Sequence, residues 1–210
     1  MATYINPKCR LCRALSQKLF LKGERCYGQK CSVTRRAYGP GMHGSKRKRG
    51  AISEYGKQLR EKKKIKSIYG VLENQFRRYY QNARAQKGNT AEHLLEILET
   101  RLDNVVFRLG LAGSRRMARQ FIGHGHVLVN GKKVDIASYN VKVGDVIKFK
   151  EAIEKIPYIK NLRQSLKKYR TPSWLELDVE KLTGKVTARP EESEVELDAD
   201  VLAVIDFYSR

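Results

Sequence analysis

Apolar positions recur at helical spacing through the second quarter of the chain, and alternation replaces that spacing farther on. Val71, Leu72, Phe76, Tyr79, Tyr80 and Ala83 fall on one face of a helix. Upstream, a helix is predicted from about Ser53 to Lys66, with Ser53 as cap and Glu54 in its first turn. Gly88 suits the position just past a helix end. Asn89 or Thr90 can cap a third helix, whose stripe is Leu94, Leu95, Leu98, Leu102, Val105, Val106 and Leu109. It is predicted to run unbroken to Gly110. Ser114 caps a shorter helix with Met117, Ala118, Phe121 and Ile122 on one face.

After that helix the period changes. Asn130-Gly131 sits between β-rich arms from His126 to Val134, a strong hairpin signal. Val141 to Lys150 reads as a turn and a strand, and residues 158–169 as a further helix. Trp174 to Asp178 and Lys185 to Arg189 read as short strands, and Val201 to Tyr208 as a last, partly alternating strand. Residues 1–45 show little periodicity and cannot bury a core of their own.

Composition narrows the function. The chain has 210 residues, 41% of them hydrophobic, enough for one or two cored domains. Lys and Arg number 43 against 22 Asp and Glu, a net charge of +21. Residues 1–90 hold 23 basic and 4 acidic side chains; residues 91–210 hold 20 and 18. The excess therefore lies in the first part, and a polyanionic partner is expected there. The longest stretch without a charged residue, Gln120 to Gly131, is 12 residues. A spanning helix needs roughly 18 or more, so no membrane span is predicted. MATYINPKCRLC lacks the apolar core of a secretory signal, and the reading is cytoplasmic.

Cys9, Cys12, Cys26 and Cys31 form two close pairs. Clustered cysteines in a cytosolic chain suit a metal better than disulfides. Zinc is the first choice, since four thiolates close its tetrahedron and leave no catalytic position. An iron–sulfur cluster is the alternative. Arg10, Arg13, Arg25, Lys8 and Lys30 would stabilise the thiolates.

Two further features suit an anion. Tyr38 to Gly44 is glycine-rich, and the basic run Lys46, Arg47, Lys48, Arg49 follows it. Arg115, Arg116 and Arg119 cluster opposite the Met117/Phe121 stripe with no interleaved acid, which predicts one anion-seeking face. An enzyme is not expected. Of His43, His93, His124 and His126, only the last two are close, and no carboxylate or cysteine between Arg119 and Lys132 completes a site. A DNA-binding zinc protein lacks a recognition helix after its cysteines.

The motifs CRLC and ERCYGQKC within 9–31, YGPGMHG at 38–44, and SEYGKQLREKKKIKSIYGVLENQFRRYY at 53–80 resemble the bacterial small-subunit ribosomal protein S-four family. LETRLDNVVFRLGLAGSRRMARQFIGHGHVLVNGKKVDIASYNVKVGDVI at 98–147, TPSWLELD at 171–178 and the terminal FYSR extend the likeness over nearly the whole chain. The resemblance implies an α+β fold. Its parts would be a metal-stapled basic N-terminal segment (1–45), a helical rRNA-binding domain (46–98), an S-four-type RNA-binding domain of helices with a small antiparallel sheet (99–200), and a C-terminal strand or tail (201–210). It also implies a primary assembly protein of the small ribosomal subunit that binds the 5′ domain of small-subunit rRNA. Its protein partners would be S-five, with which it affects decoding accuracy, and other small-subunit proteins. Messenger RNA is a further implied partner, and no small-molecule substrate is. The candidate RNA-contacting residues are His43, Lys46, Arg47, Lys48, Arg49, Arg60, Lys62, Lys63, Lys64, Lys66, Arg77, Arg78, Arg115, Arg116, Arg119, Asn130 and Lys132. Such a set suits RNA held by shape, through phosphates and 2′-hydroxyls.

Overall fold

The computed structural model describes residues 4–46, 51–150, 153, 157–166, 169–195 and 197–209. The chain divides into two compact units, Met1–His93 with Leu197–Arg210, and Leu94–Glu196. The fold is mixed: helices and one small antiparallel sheet. Among the described residues, no helix is long and apolar enough to cross a membrane.

The first unit opens with three short helices that carry the cysteines: α1 (Lys8–Leu15), α2 (Glu24–Tyr27) and α3 (Ser32–Arg35). Then come α4 (Glu54–Tyr69) and α5 (Glu73–Ala85). The Ser53 hydroxyl accepts the Gly56 amide at 3.2 Å and caps α4. Gly70, at φ 62°, ends it by turning the Val71 amide back to the Lys66 carbonyl.

The strand expected over residues 201–208 is instead a helix, labelled α10 here for its chain order (Val201–Ser209). Val201 and Val204 are buried, and Phe207 and Tyr208 continue the same face at helical rather than strand spacing. That face packs on α4. Tyr208 stacks on Tyr80 with centroids 4.8 Å apart, and its hydroxyl donates to Glu73 at 2.7 Å. Burial alone would raise the Glu73 carboxyl, but hydrogen bonds from Lys66, Tyr208 and Lys62 outweigh it and hold the group at about 2. Burial and Glu73 together push the Tyr208 phenol up.

The second unit takes in the end of α6 (Thr90–Glu99), then α7 (Leu102–Arg108) and α8 (Arg115–Gly123). One unbroken helix to Gly110 was expected; the structure breaks it at Thr100-Arg101. Arg101 is extended (φ −65°, ψ 136°) and bridges Asn140. Leu102 and Asp103 amides donate to the carbonyls of Tyr139 and Ala137, and Val141 donates to Thr100. A distant loop thus supplies partners for the first amides of α7, which no local apolar stripe could signal.

The sheet follows: β1 (Val127–Val129), β2 (Lys132–Lys133) and β3 (Val146–Phe149), with β4 (Leu175–Asp178) and β5 (Thr183–Val186) after α9 (Pro157–Leu166). Its order is β2-β1-β3-β5-β4, and every pairing is antiparallel. The β1–β2 turn has Asn130 at φ 50° and Gly131 at φ 77°, the left-handed pair its dipeptide demands. β5 begins two residues before the expected Lys185. Ile147 and Phe149 point into a core shared with Leu102, Val106, Phe121, Ile122 and Trp174. Gly184 sits where a Cβ would lie 2.3 Å from the buried Leu109 Cδ1, so the sheet needs a glycine to approach α7.

Glu73 gives the first unit a pH dependence of known sign. Its depressed value means its contribution is complete above the ordinary carboxyl range, near 4.5, and is lost as pH falls toward about 2. Glu73→Gln should therefore destabilise at pH 7 but narrow the gap to wild type at pH 2–3. Denaturant midpoints of both proteins across that range check it.

Candidate nucleic-acid interface

The basic residues of α4 do not form one surface. Gln58, Lys62, Ile65 and Tyr69 are its buried positions, and their spacing turns Lys62 inward. Lys62 is only 7% exposed; its ammonium donates to Glu73 at 3.0 Å and lies 4.1 Å from the Phe207 ring centroid. Lys66 also meets Glu73, and Lys64 pairs with Glu61 at 2.7 Å. The expectation that Lys62 contacts RNA is thus corrected, because helical rotation and α10 take it into the unit. Arg60 and Lys63 line a groove of about 480 Å³ with Lys8 and Leu11 of α1. Arg77 and Arg78 are exposed on α5, opposite buried Phe76 and Tyr80. His43 and Lys46 are exposed in the glycine-rich loop. Arg47, Lys48 and Arg49 lie outside the described residues.

In the second unit the three arginines of α8 divide. Ser114 accepts the Met117 amide at 3.3 Å and sets the start of that helix. Arg116 is exposed. Arg119 donates through Nε to Asp103 at 3.0 Å. Asp103 is 1% exposed and also receives a bidentate pair from Arg101, at 3.1 and 2.8 Å. Arg115 donates to Asn104 at 2.7 Å and stacks over Phe107. Asn104 in turn donates to Glu99 at 2.8 Å, and Arg108 closes on Glu99 with two bonds at 3.0 and 3.1 Å. The expectation of one anion-seeking face of three arginines is corrected: α7 supplies Asp103 to Arg119 and Asn104 to Arg115, so two of the three hold the fold.

At the hairpin tip Asn130 and Lys132 are exposed. The Asn130 amide is occupied, donating to Asp145 at 2.7 Å and accepting the Val146 amide at 2.9 Å. Sequence reasoning missed Glu99, Arg101, Asp103 and Asn104. The available signal was polar residues at five of the six positions from 99 to 104, inside an otherwise apolar stripe.

Cys12, Cys26 and Cys31 are buried and Cys9 is half-buried. The Lys22 amide donates to the Cys26 sulfur at 3.4 Å. Burial pushes the Cys12 thiol up, and charge on Cys26, Cys9 and Cys31 pushes it further. Among the described residues, no three His, Cys, Asp or Glu side chains gather as a metal-holding group.

Residues 3–99 match the family model of the ribosomal protein S4/S9 N-terminal domain, and residues 100–147 match the S4 domain. The chain is 53% identical to the small ribosomal subunit protein uS4 of Natranaerobius thermophilus over 210 residues, all of both chains. The proteins of that name from Heliobacterium modesticaldum and Acetivibrio thermocellus are 52% and 51% identical, again over all of both chains.

The buried network predicts a contrast. Asp103→Asn leaves the Arg101 and Arg119 charges without their carboxylate and should cost about 3–5 kcal/mol. Arg116→Gln should change stability by less than about 0.5 kcal/mol. Thermal unfolding of the two variants separates these roles.

Proposed function

The chain belongs to the family of small ribosomal subunit protein uS4, and on that premise we propose that it binds small-subunit rRNA in the 5′ domain as a primary assembly protein. It is a structural constituent of the small ribosomal subunit in the cytoplasm, not an enzyme. Family membership along the whole chain carries this reading. The charge asymmetry supports it, with 23 of the 43 basic residues in the first 90 positions against 4 acids. Further parts of the proposal are contact with protein S-five, an influence on decoding accuracy, and repression of its own messenger. The exposed Lys63, Arg77, Arg78, Arg116 and Lys132, with the half-buried Arg60 beside Lys63, are the cations best placed to meet phosphate.

Affinity for small-subunit rRNA tests the core of this. For about six phosphate contacts the log–log salt slope should be roughly −4 to −5. A slope near −1, or crosslinks outside the 5′ domain, would overturn it.

We also propose that Cys9, Cys12, Cys26 and Cys31 hold one structural metal, zinc before an iron–sulfur cluster. Four sulfur donors, three of them buried, fit a closed thiolate site, as does the backbone amide aimed at Cys26. The ion would tie α1, α2 and α3 together and so contribute folding free energy to that segment. Elemental analysis of the purified protein should find one zinc per chain. Cys26→Ser with Cys31→Ser should lose it, along with hydrogen-exchange protection over residues 4–46, while residues 71–109 stay protected. Loss of protection through 71–109 would end the modular reading.

A further inference from the structure

The four cysteines are not equivalent. A cavity of about 440 Å³ opens on their segment, and of the four only Cys9 lines it. Cys9 is also the half-buried one, whereas Cys12, Cys26 and Cys31 are buried. Backbone amides cover those three sulfurs: Leu19 donates to Cys12, Lys22 to Cys26 at 3.4 Å, and Val33 and Thr34 to Cys31. A reagent in solvent therefore meets the sulfur of Cys9 and is kept from the others by burial.

The approach to Cys9 selects by charge. Arg10, Arg13, Arg25, Lys30, Arg35 and Arg36 share the cavity wall, and no Asp or Glu is among the described residues that line it. Arg10 follows Cys9, Arg25 precedes Cys26 and Lys30 precedes Cys31, so folding that gathers the sulfurs gathers the cations. One wall is fixed: Arg13 donates to the carbonyls of Tyr38 and Gly39 at 3.0 and 2.9 Å, and its guanidinium lies 4.9 Å from the Tyr38 ring centroid. Like charges held together in a concave site raise the local potential and concentrate small anions.

We propose that Cys9 is a modification site whose reagent is a small anionic disulfide. The proposal rests on the four-sulfur metal reading and deepens it by naming the sulfur through which that site opens. The Cys9 thiolate attacks one sulfur of the disulfide. A bond forms between the two sulfurs, the bond within the disulfide breaks, and the other half leaves as a thiolate. Cys9 is thereby oxidised and the leaving half reduced, with one thiolate on each side of the exchange. The cap removes Cys9 from the four-sulfur set, and the segment loses the folding free energy that the closed set contributes. Excess thiol runs the exchange backwards and restores Cys9.

The test uses the full chain as purified, with its metal content measured first. Two probes are compared: glutathione disulfide, which is net negative, and cystamine, which is positive. Each rate is divided by that probe's rate with a small neutral thiol, which removes intrinsic reactivity. Peptide mass mapping should find the first glutathione adduct on Cys9, and zinc release to a chelating dye should keep pace with it. At low salt glutathione disulfide should be favoured about tenfold or more. Salt at about 1 M, where the screening length is about 3 Å, should remove most of that preference. Arg10→Gln, Arg25→Gln and Lys30→Gln combined should remove most of it as well. Arg10→Lys with Arg25→Lys keeps the charge and should keep the preference; loss there would overturn the charge argument. A first adduct on Cys12, Cys26 or Cys31, equal normalised rates for the two probes, or an adduct on Cys9 with zinc retained would overturn the proposal. Absence of metal from the purified protein would instead defeat the metal reading, a result read before any disulfide is added and so distinct from all of these.

Discussion

The second unit depends on keeping the carboxyl groups of Asp103 and Glu99 partnered inside the protein. Both are essentially inaccessible to water, and an isolated buried carboxylate is prohibitively costly. Each is answered by a guanidinium fork, Arg101 on Asp103 and Arg108 on Glu99. Asn104 and Arg115 extend the Glu99 group to α8, and Arg119 ties the same helix to Asp103. Apolar packing alone lets two helices slide past one another. Directional bonds to named atoms fix the register of α8 against α7, and so fix where Arg116 stands.

How legible this was in the sequence varied with the range of the deciding interaction. The Asn130-Gly131 hairpin was readable because two backbone angles decide it. The caps at Ser53 and Ser114 were readable for the same reason. The break at Thr100-Arg101 was not, because its partners, Ala137 to Val141, lie nearly forty residues away. Nor was α10: eight residues with partial alternation look like a strand until α4 offers a face that accepts helical spacing. Lys62 shows the same limit among the candidate site residues. A run of lysines reads as a basic surface, yet rotation along the helix aims one of them at Glu73. The cations beside the cysteines were visible from the start, but only as helpers of the sulfurs. Their convergence on one cavity requires the turns between α1, α2 and α3.

The two units handle charge in opposite ways. In the second, cations are matched closely by acids and serve cohesion. In the first, Glu73 and Glu61 neutralise Lys62, Lys66 and Lys64 of α4 and Glu54 pairs with the exposed Lys57, but over residues 1–90 the 23 basic side chains far outnumber the 4 acids. A molecule with this division is rigid where its charges are satisfied and adhesive where they are not. The net positive charge therefore reports the adhesive surface rather than the whole chain.

The placement of α10 has a consequence for biosynthesis. Its contacts with α4 and α5 join residues about 130 positions apart, across the entire second unit. During translation the amino-terminal unit would normally be the first to settle. Here it must wait, with Lys62 lacking its aromatic cover, until residues 201–209 have been added. A chain cut before residue 197 would hold every residue of the second unit and lack part of the first.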